Sequence, residues 1–286
     1  MSITWKDLES QYQDRLASLY PPEEIKALFL LVLSELAGIK PSQYLLIKND
    51  DEQAYKDQLE DILTALSTGR PIQHVLGMAD FYGHKFVVNE HTLIPRSETE
   101  ELVHLILQDY KQHVAPRIID IGTGSGCIPI TLNKLLADSE VWAVDISAPA
   151  IAVAKKNNQQ LQTAVNFITA DILEWEFLFS KKQNFDVIVS NPPYITQAEM
   201  QQMHANVLNH EPHTALFVED AAPLLFYDYI SDFALHHLSQ DGTLYFEINQ
   251  YLGNETADLI RKKGFKTVDI LKDINGADRM IRAKRG

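Results

Sequence analysis

One cysteine, Cys127, in 286 residues leaves no partner for an intramolecular disulfide, and that suits a reducing compartment. Positive charge is also scarce. Lys and Arg number 25 against 39 Asp and Glu, a net charge of -14, which opposes broad binding to a phosphate backbone. No direct contact with nucleic acid is therefore expected. Long apolar runs are missing: the best, Ala27 to Leu33, is far too short to span a membrane. The opening MSITWKDLESQYQD is polar and acidic, unlike a secretory leader, so the expected location is cytoplasmic. His210-Glu211-Pro212-His213 and His236-His237 lack a third partner at ligand spacing, and no metal is expected. No internal repeat or low-complexity tract occurs, and the chain is expected to act as a monomer.

Hydrophobic residues make up 45% of the chain, enough for sizeable cores. From Thr4 to about Ser67 the pattern is helical. In PPEEIKALFLLVLSELAG the prolines and acids suit a helix start, and Gly38 suits its stop. In DEQAYKDQLEDILTALSTG, Asp51 is the candidate N-cap, and Leu59, Ile62, Leu63 and Leu66 fall at helical spacing. Three or four such helices make a small bundle over residues 1–78. Positions 1–90 carry 8 basic and 14 acidic residues, so the bundle is no nucleic-acid clamp.

Residues 79–96 change character. Phe81-Tyr82 and Lys85 to Val88 flank Gly83-His84, which predicts a hairpin linker. Ser97-Glu98-Thr99-Glu100 then matches a capping box, with Glu100 placed to reach the Ser97 amide, and a helix follows to about His113. In the remaining domain, residues 97–286, strands and helices alternate. Candidate strands lie at 117–122, 140–146, 165–170, 185–190, 242–249, 265–272 and 278–284. Such alternation predicts an α/β, mostly parallel, doubly wound sheet, in which ligands bind beyond the carboxyl ends of the strands.

RIIDIGTGSGCIPI places Gly122, Thr123, Gly124, Ser125 and Gly126 after a strand and before a helix. The spacing is G-x-G-x-G, not the dinucleotide fingerprint, and no Walker lysine follows to hold a triphosphate. The next strand, VWAVDIS, ends at Asp145, placed to accept hydrogen bonds from two ribose hydroxyls. The third strand end offers Asp171 for an adenine amine and Ile172 to cover the ring. An acid before the glycines and another at the next strand end resemble the S-adenosylmethionine-dependent methyltransferases. The alternative is a tight turn without a ligand. Cys127 beside it reads as a small packed residue.

The fourth strand runs FDVIVS and stops abruptly in Asn191-Pro192-Pro193-Tyr194. An amide or exocyclic amine is a poor nucleophile because its lone pair is delocalised. Methylating one requires both N–H groups to meet rigid acceptors that aim the lone pair. Asn191 supplies a side-chain carbonyl, and the Asn191 and Pro192 main-chain carbonyls add two more. The prolines fix the backbone and remove competing donors. Tyr194 offers an aromatic face to a planar target and to a cationic methyl donor. The predicted device is a donor-free seat acting by orientation and preorganised electrostatics. Alternatively, Asn191 caps a turn and the prolines merely stop a strand.

Four stretches, GRPIQHVLGMADFYGHKF, LIPRSETEELV, IIDIGTGSGCIPI and VSNPPYI, resemble the protein-(glutamine-N5) methyltransferases of peptide chain release factors, the PrmC/HemK family. The resemblance spans nearly the full length. It implies a Rossmann-like S-adenosylmethionine-dependent sheet with a small N-terminal helical bundle and hairpin linker. It implies that the acceptor is the glutamine of Gly-Gly-Gln in class 1 release factors, seated on Asn191, Pro192, Pro193 and Tyr194. The Gly122 to Gly126 loop, Asp145, Asp171, Ile172 and Asn191 would hold the methyl donor, and the LIPR stretch would help close its methyl end. The N-terminal bundle would dock the release factor. Ser97 stands where the family commonly has proline, and Ile172 where some relatives have an aromatic. The rival enzyme is an adenine-N6 methyltransferase, which needs basic surface; the rival of another class is a binding protein without catalysis. Glu247 either approaches the pocket or is a satisfied strand-end carboxylate, and the tail RMIRAKRG either touches RNA or is a final strand.

Overall fold

The protein is described by a computed structural model covering residues 3–179, 183–201 and 205–286. It divides into two compact units, Met1–Gly77 with His204–His210, and Met78–Met203 with Glu211–Gly286. In the first, helices Trp5–Leu16, Pro22–Ala37, Pro41–Ile47, Lys56–Ser67 and Ile72–Leu76 enclose an apolar core. Leu59, Leu63 and Leu66 face it, together with Tyr12, Leu16, Ile25 and Phe29. The Tyr12 hydroxyl donates to the Leu59 carbonyl at 2.9 Å, so this buried phenol is satisfied. The expected N-cap at Asp51 is a correction: the helix begins at Lys56. Asp51 instead bridges to Thr4, and the Glu52 carboxylate accepts the Tyr55 N–H, which spends that stretch on a turn. Helix Ala205–His210 counts with this unit, and its Asn206 amide donates to the Tyr20 hydroxyl at 2.7 Å.

The second unit is built on one sheet. Among the described residues its strands are β1 Arg117–Ile121, β2 Glu140–Asp145, β3 Val165–Thr169, β4 Phe185–Ser190, β5 Leu238–Glu247, β6 Thr267–Lys272 and β7 Asp278–Lys284. Their order is β6-β7-β5-β4-β1-β2-β3. Every neighbouring pair is parallel except the two that β7 makes. Alternation sorts the side chains onto two covered faces. Ile118, Val141, Val187, Val189 and Tyr245 pack with helices Ser97–Tyr110 and Cys127–Leu135. Ile119, Ile121, Ile188, Leu244 and Phe246 pack with helices Leu225–His237 and Gly253–Lys263.

Strand β5 starts four positions before the expected 242, because Leu238 pairs with Phe185 across an irregularity that the Asp241-Gly242 turn signal conceals. The hairpin pairs Met78–Phe81 with His84–Val87 around Tyr82 and Gly83, whose φ values of 48° and 74° suit a two-residue primed turn. Its Phe81 and Phe86 pack against helix Ser97–Tyr110. The expected capping box is absent. Arg96 is the N-cap, Ser97 binds Glu98, and the Glu100 carboxylate accepts the Tyr82 N–H at 2.6 Å. Glu100 therefore fastens the hairpin, not its own helix.

Gly126 opens helix Cys127–Leu135 at φ 80°, where an added Cβ would lie 2.9 Å from Ile130 Cδ1 and 3.0 Å from Ala154 Cβ. Gly126→Ala is expected to lower stability by about 2–3 kcal/mol through backbone strain and overpacking. Urea denaturation checks this, and an unchanged midpoint would contradict it.

Candidate active site

The sheet reverses its strand order between β1 and β4. At their carboxyl ends Ile121 pairs with Ser190, and the buried Ser190 hydroxyl donates to the Ile121 carbonyl at 2.6 Å. Gly122 and Asn191 therefore leave the sheet side by side, one entering the glycine loop and the other the Asn-Pro-Pro-Tyr turn. Both line a cavity of about 330 Å³, with Gly124, Asp145, Asp171, Ile172, Pro192 and Pro193. The topology thus brings together residues up to about seventy positions apart in sequence.

The loop is held from below. The Val144 carbonyl accepts both the Gly122 and Thr123 N–H groups, at 2.8 and 3.0 Å. Gly124 N–H donates to Asp145 Oδ2 and Ser147 N–H to Asp145 Oδ1, each at 2.8 Å. Those bonds fix the carboxylate at the cavity wall and leave each oxygen further acceptor capacity. Burial raises the Asp145 pKa, and the two N–H donors hold it back. Gly122 and Gly124 have φ of 76° and 55°, and an added Cβ on either would meet open space. Asn157 locks the far side, its amide donating to the Ser125 and Val87 carbonyls at 2.9 Å each.

Thr123, Ser125 and Gly126 do not line the cavity; they are buried parts of the turn. Asp120 lies fully buried at the base of the loop, with neither carboxyl oxygen hydrogen-bonded among the described residues. Desolvation pushes it up to about 7, the Thr123 hydroxyl opposing the rise and Asp145 adding to it. Burial pushes the Cys127 thiol up to about 12, which leaves it without nucleophilic character near neutral pH.

Asp171 caps its own turn, accepting the Leu173 N–H at 2.9 Å, and Ile172 is buried beside it. Ile146, Phe226 and Ile230 add apolar wall. An open glycine cradle, a fixed acceptor carboxylate and apolar walls fit a nucleoside.

The Asn191 amide nitrogen donates to Thr99 Oγ1 at 3.2 Å, while its carbonyl oxygen has no partner among the described residues. The main-chain carbonyls of Asn191 and Pro192 likewise accept no hydrogen bond among those residues. Tyr194 departs from the reading that gave it an aromatic face to the ligand. It lies outside the cavity lining, its ring packs on the core, and its hydroxyl donates to Glu247 at 3.1 Å. Glu247 is buried and also accepts from Thr99 at 2.7 Å.

The opposite wall comes from His91 and Leu93 and from Pro212, Thr214, Ala215 and Phe217. Glu211 joins these two segments. Its carboxylate, 1% exposed, accepts the Ile94 N–H at 3.1 Å and pairs with Arg96. Sequence reasoning noted Glu211 only as part of a motif and Thr99 only inside a helix start. Neither has a local signal, since the partners of each lie about a hundred positions away. Glu247 could be suspected from its place at a strand end.

A family model for the methyltransferase small domain matches residues 87–219. Among solved structures, the hMettl16 catalytic domain bound to a MAT2A 3'UTR hairpin superposes with a TM-score of 0.55 at 16% identity, covering 83% of this chain and 85% of that one. The T. thermophilus 16S rRNA N2 G1207 methyltransferase, solved with AdoMet and guanosine, gives 0.53 at 16% identity over 73% of this chain and 50% of that one. At those identities the likeness shows the fold alone. The release factor glutamine methyltransferase of Flavobacterium psychrophilum is 45% identical over 97% of this chain and 98% of its own length. That of Bacteroides thetaiotaomicron is 43% identical over 94% and 96%. With this identity along nearly the whole of both chains, and with a Rossmann-like sheet whose cradle suits S-adenosylmethionine, the chain belongs to the release factor glutamine methyltransferase family.

Proposed function

We propose that this protein methylates the side-chain nitrogen of the glutamine in the Gly-Gly-Gln segment of class 1 peptide chain release factors. The observation that carries the reading is the set of unpartnered carbonyls at Asn191 and Pro192, on the same cavity as the glycine cradle. A glutamine amide presents two N–H groups and needs two acceptors. The Asn191 Oδ1 and the Pro192 carbonyl supply them, and no donor on either proline competes.

S-adenosylmethionine, when bound, supplies a methyl carbon activated by a positive sulfur. Gly122 and Gly124 would let it approach the main chain, Asp145 would accept from its ribose hydroxyls, and Asp171 with Ile172 would hold its adenine. The two carbonyl acceptors would hold both amide N–H groups and so fix the direction of the nitrogen lone pair, and they would stabilise the positive charge that the nitrogen gains on alkylation until one N–H proton is released to water. Glu211 holds the Leu93 and Pro212 walls together, which limits water at the reacting end. Tyr194 flanks the seat and fixes its backbone, since the Asn249 amide holds the Tyr194 carbonyl at 3.1 Å.

The relatives are named for a release factor and not for a nucleobase, and the net charge of -14 agrees. The helical unit would be the docking surface; Leu45 and Leu46 on helix Pro41–Ile47 are 63% and 85% exposed. The protein is read as a cytoplasmic monomer that works beside translation. No helix among the described residues is long and apolar enough to cross a membrane.

Incubation with labelled methyl donor and purified release factors is expected to label the wild-type factor and not a Gly-Gly-Asn variant. Label in that variant would reject the assigned acceptor. Asn191→Ala should reduce kcat on the order of 100-fold, with cofactor affinity held within a few fold. Asp145→Ala should raise the cofactor Kd about tenfold, the worth of one or two lost hydrogen bonds, by calorimetry. Glu211→Ala should cost about 1–3 kcal/mol of stability and speed hydrogen exchange at the Ile94 amide. An Ile94 amide as protected as in the parent would contradict that role.

A further inference from the structure

Which way the Asn191 amide faces decides whether the seat works, because a flipped amide would present N–H groups to a substrate that also carries N–H groups. Oxygen and nitrogen of an asparagine are distinguished by their partners. Here the partner is Thr99, whose single hydroxyl proton goes to Glu247 Oε2 at 2.7 Å. A hydroxyl that has given its proton away has only lone pairs left, so at 3.2 Å it must face the Asn191 NH2 and not the carbonyl. The direction of the whole chain is therefore set by Glu247, a group that accepts and does not donate while ionised.

Burial raises the pKa of Glu247, and the groups around it favour the carboxylate. Thr99 and Tyr194 each donate a hydroxyl to it, and the positive charge of Arg279 acts in the same sense. Glu98 is the one nearby acid that opposes them. Arg279 is itself held by Asp273, with Nε donating at 3.1 Å. Both side chains of the relay are buried, Thr99 at 3% and Glu247 at 2% exposed, so water does not replace either partner. The three links come from helix Ser97–Tyr110, from the end of β5 and from the turn after β4.

We propose that Thr99 and Glu247 are positioning residues: Glu247 fixes the Thr99 hydroxyl, and Thr99 fixes the Asn191 amide with its oxygen toward the substrate nitrogen. This rests on the reading of Asn191 as the amide seat. Neither residue touches substrate or cofactor. Their effect is to remove the wrong orientation of Asn191 before the substrate arrives, which is a contribution to kcat and not to cofactor binding.

The test compares Thr99→Val, which keeps shape and loses the hydroxyl, with Thr99→Ser, which keeps the hydroxyl. Thr99→Val should lower kcat for release factor methylation between about tenfold and a hundredfold, with cofactor Kd within twofold. Thr99→Ser should recover activity to within about threefold of the parent, because the hydroxyl is what the argument uses. Thr99→Ala must repeat the Thr99→Val pattern if valine disturbs folding. In the ligand-free protein, 15N relaxation of the Asn191 side-chain amide should show a lower order parameter in Thr99→Val and a parent-like one in Thr99→Ser.

A Thr99→Val enzyme with kcat within twofold of the parent, while Asn191→Ala is inactive, would overturn the relay and leave the seat intact. An active Asn191→Ala would instead remove the seat. The relaxation data then decide the relay by themselves, and an unchanged order parameter in Thr99→Val overturns it.

Discussion

The parallel pairing of β1 with β4 is the constraint on which the rest depends. Ile121 and Ser190 are in register, and the Ser190 hydroxyl closes the pair onto the Ile121 carbonyl. A strand slip of one residue would turn Ile188 and Val189 to the opposite faces and separate the glycine loop from Asn191. The register is specified by burial on both sides: Val187 and Val189 belong to one core and Ile188 to the other. Apolar packing deep in the sheet thus sets the distance between the two loops.

On that frame the site is built almost entirely from hydrogen bonds that leave chosen groups unpaired. Asp145 takes two N–H donors and keeps acceptor capacity toward the cavity. Asn191 commits its nitrogen to Thr99 and keeps its oxygen. A buried polar atom without a partner costs free energy, on the order of 1–3 kcal/mol. The fold tolerates such atoms below the glycine loop, the Asp120 carboxyl oxygens and the Thr123 hydroxyl, because packing and register elsewhere over-determine the chain there.

The parts of this design that are local were legible in the sequence. Gly122, Gly124 and Asp145 announce themselves by strand, turn and strand end, and Asn191-Pro192-Pro193 by a strand that stops in a turn rich in acceptors and poor in donors. Helix starts were less legible. Asp51 and Ser97 both have the chemistry of caps, yet tertiary partners claimed the residues around them: Thr4 bridges to Asp51, and Tyr82 takes Glu100. The placing of Tyr194 is illegible for a related reason. Its position in the motif says nothing of where its hydroxyl goes, and that is decided by Glu247, 53 residues away. Glu211 and Thr99 could not be found from pattern at all, since their partners lie 92 to 148 positions distant.

The charge of the site follows the same logic. Asp120, Asp145 and Glu247 all sit at carboxyl ends of neighbouring or next-neighbouring strands, and burial raises the pKa of each. Burial disfavours the charged form of a carboxyl, so the raised values mark how little water reaches this edge, and of the three only Asp145 lines the cavity. A polar seat for a neutral amide can lie beside this acidic edge because its acceptors are carbonyls, whose dipoles add no net charge to the field. Under the proposed function that division would give Asp145 to the cofactor and the Asn191 and Pro192 carbonyls to the substrate, at the cavity that one switch in strand order creates.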